Sequence, residues 1–352
     1  MNVLDSVWLE QSKKDKIIKE IILTADFETA YYTVCKYITC RSLQPLHASI
    51  IHNVSDNQAS MDLAPRGHGK STIGDVDFCI TKVLRNPDIR IMIGSKTQTQ
   101  ASAFLKEIRT HFEQNVNLIR IFGDWKKSRD NVWNDKEFTV NRRTMIKKEA
   151  TVSALGASGA VVSKHFDIII GDDLVGFENA RTEAQRKVLK EWFYSSLYPT
   201  LEPDGEIHIL GTRYSPMDLY EDLIKSKNYK VNVQQAITVK DGQEYSLWES
   251  KFSLEKLRSI REEAGLIIFN MQYQNNTELA KGKIFKYKYF KHFEEYDIDY
   301  DLNRVRVKVL DSQGVPYWIP VRIYMGADLA ISEDETSNND YFVLTVIGVD
   351  KN

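Results

Sequence analysis

The decapeptide Leu63-Ala64-Pro65-Arg66-Gly67-His68-Gly69-Lys70-Ser71-Thr72 constrains this chain more than any other stretch. A short apolar run, residues 60–63, leads into it, and a helix-compatible segment, residues 72–84, follows. Strand, glycine-containing loop and helix in that order are what a backbone needs to wrap its amides around phosphate. Gly67 and Gly69 let the backbone turn its N–H groups inward, and the helix N-terminus adds positive potential. Lys70 is then placed to reach the β- and γ-phosphates of a nucleotide, with the Ser71 hydroxyl on Mg²⁺. Pro65, Arg66, His68 and Thr72 complete the expected ATP-binding set. The pattern departs from the usual one at its first position, where Ala64 replaces glycine.

The 352 residues suggest about two domains, and 42% apolar residues suffice for ordinary cores. A net charge of −2 with a pI near 6.4 gives no global sign of a nucleic-acid binder. Any DNA contact must come from local basic patches. Cys35, Cys40 and Cys79 are odd in number and lack metal-ligand spacing, so reduced thiols in a cytosolic compartment are expected. No apolar run approaches the roughly 18 residues of a membrane span, and the charged N-terminus has no signal-peptide core.

Strand-like and helix-period segments alternate, the pattern of a mainly parallel sheet flanked by helices. Residues 89–94 read as a buried strand, 95–111 as a helix and 137–148 as a pair of β segments. Residues 166–171 read as a strand, 182–197 as a helix, 206–211 as a strand and 216–225 as a helix with Pro216 in its first turn.

The strand at 166–171 delivers Asp172 and Asp173 at its C-terminal end, the edge of an open α/β sheet where ligands bind. Asp172 would hold Mg²⁺ through its water shell, and a neighbouring carboxylate would polarise the water that attacks the γ-phosphate. Asp173 is adjacent, and Glu178 has the longer reach; the sequence leaves both open. Ile209-Leu210-Gly211-Thr212-Arg213-Tyr214 brings a second strand to the same edge, where Thr212 could sense the γ-phosphate and Arg213 transmit its loss. Arg66 and Arg181 compete for a transition-state role.

Taken together, residues 64–72, Asn86-Pro87 with the run 89–95, Gly171-Asp172-Asp173-Leu174, and Leu210 to Tyr214 with Asp218-Leu219 resemble the large terminase subunit of tailed bacteriophages. The resemblance runs in order from about Leu43 to the C-terminus. It implies a RecA-like, additional-strand (ASCE) P-loop ATPase that drives double-stranded viral DNA into a procapsid, followed by an RNase H-like nuclease. By position, Lys70 and Ser71 carry the phosphate and Mg²⁺ contacts, Asp172 is the Walker B acid, and Thr212 and Arg213 form the coupling motif. Asp173 stands where the commoner pattern has glutamate. The small-residue stretch 155–160 matches the loop preceding Walker B, and Gln44 lies where such ATPases contact adenine. The implied partners are double-stranded DNA, the small terminase subunit and the portal protein, with a homo-oligomeric ring on the portal, no membrane, and a location in the host cytoplasm.

The expected organisation is an N-terminal helical region (1–42), the ATPase domain (43–275), a linker (276–300) and the beginning of the nuclease (301–352). Residues 281–290 interleave lysines with aromatics, a pattern of linkers and of surfaces that track single strands. Two β-rich runs, 304–310 and 315–324, flank a probable turn at Asp311 to Gly314. Within the resemblance, Asp328 is the first acid of a two-metal (Mg²⁺ or Mn²⁺) site and Asp340 an accessory acid. Twelve residues follow Asp340, so the remaining acids are expected to be missing and DNA cleavage absent. Two further readings share parts of the pattern: a helicase-like nucleic-acid-remodelling ATPase, and a nucleotide-binding scaffold without turnover.

Overall fold

The computed structural model describes residues 3–126, 131–157, 159, 164–278, 296–299, 304–310, 315–328 and 343–350. It divides into two compact units, Met1–Lys281 and Gly282–Asn352. The first is organised by a seven-stranded sheet of β1 (Ala59–Leu63), β2 (Ile91–Ser95), β3 (Glu137–Phe138), β4 (Val152–Gly156), β5 (Phe166–Asp172), β6 (Leu201–Gly211) and β7 (Lys230–Val233). The order across the sheet is β3-β4-β2-β5-β6-β1-β7, and every pairing is parallel except β3 with β4.

Side-chain alternation splits the core in two. Ile91, Ile93, Ile168, Ile170 and Leu210 face one layer, with Ile18 and Ile22 of the helix Val3–Thr24, Tyr31, Phe78, Leu105 and Phe112. Met61, Leu63, Met92, Ile169, Ile207 and Ile209 face the other, with Leu189, Trp192, Leu219 and Tyr220. Burial on both faces explains why these strands read as continuous apolar runs. The N-terminal helices therefore belong to the same core as the sheet. A smaller cluster of Ala236, Ile237, Leu257 and Phe269 holds together the hairpin of β8 (Ile237–Lys240) and β9 (Gln243–Ser246) and the helices Leu254–Ala264 and Leu266–Gln272.

In this order one strand, β6, lies between the strand that feeds the phosphate-type loop and the strand that ends in Asp172. That insertion is the additional-strand arrangement of RecA-like ATPases. The segment after the loop opens as a π-helical stretch, Thr72–Asp77, and continues as the α-helix Phe78–Arg85. A π turn leaves backbone carbonyls short of partners, and the Tyr31 hydroxyl donates to that of Ile73.

Two expected elements differ. Only Glu137–Phe138 of the run 137–148 is a strand. Asp88 accepts from Thr144 N at 2.8 Å and Met145 N at 2.7 Å, so amides that a second strand would offer to a neighbour are tied to a side chain. The helix expected from Pro216 begins at Leu219, because Asp218 caps it through Glu221 N at 3.1 Å while taking Ser215 N at 3.1 Å. Pro216 stays in the preceding loop.

The second unit contains an antiparallel meander of β10 (Tyr296–Asp299), β11 (Arg304–Leu310), β12 (Pro316–Asp328) and β13 (Val343–Asp350). The expected pairing of the two β-rich runs is present as β11 with β12. Among the described residues no helix is long and apolar enough to cross a membrane.

Gly211 ends β6 against the ring of Tyr220, where an added Cβ would lie 2.5 Å from three ring and hydroxyl atoms. Tyr220 is fully buried and its hydroxyl donates to Leu210 O. Gly211→Ala is therefore expected to destabilise the first unit by about 1–3 kcal/mol. An unchanged midpoint in urea unfolding would refute this.

Candidate functional site

The loop, Asp172–Asp173 and Thr212–Arg213 all emerge from the C-terminal ends of adjacent parallel strands, β1, β5 and β6. Gly67 (φ +76°) and Gly69 (φ +78°) take the left-handed conformations that turn the loop, which side chains with a Cβ disfavour. An added Cβ at Gly69 would also meet His47 Nε2 at 3.0 Å. The loop is clasped from two sides. His47, on the helix Pro45–Asp56, shares a hydrogen bond of 3.0 Å with His68 O. From the satellite cluster, Lys251 Nζ donates to Gly67 O at 2.7 Å, and Phe252 stacks on His68 with ring centroids 4.5 Å apart.

Lys70 Nζ lies 3.0 Å from Asp173 Oδ2, bridging the loop to the end of β5. Burial alone would lower the lysine pKa, but Asp173 and Asp172 outweigh it and raise it. Asp173 adopts a left-handed backbone (φ +45°), its amide donating to Leu210 O at 2.9 Å. That conformation turns its carboxylate back towards the loop. Asp172 is fully buried with no N–H donating to its oxygens, and the Ser71 hydroxyl and the Asp75 carboxyl are its hydrogen-bonding neighbours. Burial, then the neighbouring Asp173, pushes its carboxyl up to about 7.

Glu178 is exposed on the short helix Phe177–Ala180. Asp173, Arg66, Lys70 and Glu178 all lie near enough to Tyr214 for their charges to act on its hydroxyl. Burial raises the Tyr214 pKa most. Arg66 is exposed yet held: its N donates to Gln272 O and its Nη1 to Gln272 Oε1, both at 3.0 Å. Arg181 is exposed and lies 5.8 Å over the Phe177 ring.

Thr212 Oγ1 donates to Ala64 O at 3.2 Å, tying the end of β6 to the first residue of the loop. Arg213 is buried, donating to Asp218 Oδ2 at 3.4 Å and Glu221 Oε2 at 2.8 Å. Its backbone N donates to Asn275 Oδ1 at 3.2 Å, so it joins the sheet edge to the satellite cluster. Gln44 sits beside the loop at the start of the helix carrying His47, its N donating to His47 Nδ1 at 3.1 Å. Gly156, in the small-residue stretch, packs where a Cβ would lie 2.4 Å from Gln98 N. Asp328 ends β12, with its side chain outside the described residues, and Asp340 and 281–290 lie outside them altogether.

Sequence reasoning missed Asp75, Ser95, Lys251, Phe252, Gln272 and Trp248, whose ring lies edge-on to His47 with centroids 5.0 Å apart. Asp75 carried a signal: a carboxylate four residues after Ser71, one helical turn along the same face. Phe252 and its neighbours meet the loop only through tertiary packing.

No family model matches the chain. It is 28% identical over 270 residues to the large terminase subunit of Enterobacteria phage T3, a match covering 67% of this chain and 44% of that protein. The chain thus spans less than half the length of that relative. Among solved structures it is similar to the large terminase ATPase domain of Thermus phage P74-26, at 14% identity and a TM-score of 0.44 over 69% of this chain and 96% of that one. It is also similar to the HK97 large terminase, at 14% identity and a TM-score of 0.46 over 86% of this chain and 67% of that one. The fold assignment stands on the strand order itself. In that order, in the motifs on its loop edge and in its match to the T3 protein, this chain is similar to phage large terminase subunits.

Proposed function

We propose that this chain is an ATP-hydrolysing motor subunit that moves double-stranded viral DNA into a procapsid. The observation that carries the reading is the 3.0 Å pair between Lys70 and Asp173, which joins a phosphate-type loop to a carboxylate strand across β6. In this reading the γ-phosphate displaces Asp173 from Lys70. The lysine then compensates charge on the β- and γ-phosphates, and the released Asp173 accepts the proton of the attacking water. Asp173 is favoured over Glu178 because it already reaches the lysine that positions the phosphate, whereas Glu178 is exposed.

Asp172 fits a divalent cation: its two buried oxygens, to which no N–H donates, and the neighbouring Ser71 hydroxyl are hard oxygen ligands. Ser71 and Asp172 would hold Mg²⁺, which when bound neutralises charge gathering on the transferring phosphoryl group. Loop amides from Pro65 to Thr72 would cradle the phosphates, with Gln44 beside the base. Thr212, on Ala64 O, would feel loop movement, and Arg213 would pass it to Asn275 and the satellite cluster. Arg66 and Arg181 remain the candidates for a transition-state arginine. The small terminase subunit, the portal and a ring of like subunits are the partners this reading implies, in the host cytoplasm. The same reading makes Asp328 and Asp340 metal-binding acids of a nuclease half.

Lys70→Ala is expected to lower ATP turnover about a hundredfold or more, measured as phosphate release, with the far-ultraviolet dichroism kept. Turnover at the wild-type rate would remove the loop assignment. Asp173→Asn is expected to lower kcat by about 10²-fold or more while nucleotide still binds, and Glu178→Gln to retain most of it. The reverse ranking would transfer the base to Glu178. Packaging itself is tested with procapsids and linear duplex: stimulated turnover with DNA becoming nuclease-resistant supports a motor. Strand separation instead would indicate a helicase-like enzyme, and binding without hydrolysis a scaffold.

A further inference from the structure

Asp75 lies in the π-helical stretch behind Ser71 and is fully buried, with no N–H donating to its oxygens. It faces Asp172 closely enough for the two carboxyls to hydrogen-bond when one of them carries a proton, and the Ser71 hydroxyl is the other hydrogen-bonding neighbour of Asp172. With both ionised, two carboxylates abutting in a dry interior repel and leave strong acceptors unsatisfied. Lys70 relieves them only in part, because its ammonium is hydrogen-bonded to Asp173 at 3.0 Å. Three carboxylates thus share one cationic side chain.

A third buried group independently points to the same place. Ser95 Oγ is fully buried and has no partner. Ser95 is the register partner of Asp172 in the parallel pair β2–β5, so the two side chains leave the sheet on one face. It is the face of Ile91, Ile93, Ile168 and Ile170, the layer against which Ile73 and Val76 of the π-helical stretch pack. Asp75, Asp172 and Ser95 therefore converge beneath the loop, offering anionic and hydroxyl oxygens, the donor set of hard divalent cations.

The other close-spaced cluster, Glu28, His52 and Asp56, is different in kind. It is largely exposed, and both ring nitrogens of His52 already meet carboxylates, at 3.2 and 3.5 Å. It reads as a surface ion pair.

We propose that Asp75 and Asp172, with Ser95 alongside, form a divalent-cation site that fills before nucleotide arrives. The inference rests on the ATPase reading for its purpose: the cation waits where a nucleotide's phosphates will meet it. Its existence depends only on the buried oxygens. A P-loop with one carboxylate behind it gains its cation together with the nucleotide; the second carboxylate here supplies the charge to hold it alone.

The test is Mn²⁺ binding to the nucleotide-free full chain, followed by loss of the free-ion electron paramagnetic resonance signal. One equivalent is expected to bind, and Asp75→Asn is expected to weaken it by at least about tenfold. In EDTA, Asp75→Asn is expected to melt above the wild type, because one of the opposed charges is gone; in Mn²⁺ the order reverses. Absence of Mn²⁺ binding by the wild type, a measurement that needs no variant, overturns the proposal. So does an Asp75→Asn protein that takes up Mn²⁺ as well as the wild type. Turnover without nucleotide-free Mn²⁺ binding would sink this site and leave the ATPase reading standing. Mn²⁺ binding without turnover would do the opposite.

Discussion

Everything at the loop edge depends on β6 pairing in parallel with β5 on one side and β1 on the other. Adjacent strands lie about 4.8 Å apart, so one intervening strand holds the loop strand and the acidic strand roughly 10 Å apart. That gap is wide enough for phosphate and narrow enough for a lysine to cross, and Lys70 does cross it to Asp173. Were β5 and β1 direct neighbours, the carboxylates would crowd the loop. The inserted strand also delivers its own end, Thr212, onto Ala64, so the three strands act on one another through backbone as well as side chain.

Much of this was legible in the chain. The loop glycines, the apolar strand ending in two aspartates and the Gly211-Thr212-Arg213 segment each state a local geometry, and parallel packing brings strand ends to one edge. The strand order was implied by resemblance alone, because neither periodicity nor spacing says that β6 lies between β1 and β5. Where local signals failed, a side chain competed with the backbone. Asp88 took the amides of a strand read at 137–148, and Asp218 moved a helix start past Pro216. Asp241-Gly242, both at positive φ between β8 and β9, was a readable hairpin turn of the Asp-Gly type that the sequence reading passed over. The contacts of Phe252, Lys251 and Gln272 with the loop join residues some two hundred positions apart, and no local pattern carries them.

Those distant contacts give the loop a mechanical neighbour. Lys251 on Gly67 O, Phe252 on His68 and Gln272 on Arg66 fasten three successive loop residues to the satellite cluster. Arg213, through Asn275, fastens the end of β6 to the same cluster. The cluster has a core of its own in Ala236, Ile237, Leu257 and Phe269, so it can follow the loop as a body. Any tightening of the loop has to pull on these bonds, which are hydrogen bonds and ring contacts of Phe252 and Trp248.

The π-helical stretch Thr72–Asp77 has a consequence for heredity as well as for shape. Each residue added to a helix turns everything beyond it by about 100°. The wide turn accommodates one residue more than an α-helical turn would, and so sets which side chains of the stretch look inward. A lineage that lost a single codon here would keep its lysine and serine in the loop while rotating the rest of the helix, taking Asp75 off the sheet. Alignments of such chains would show a one-residue gap after the serine travelling with the presence or absence of that aspartate.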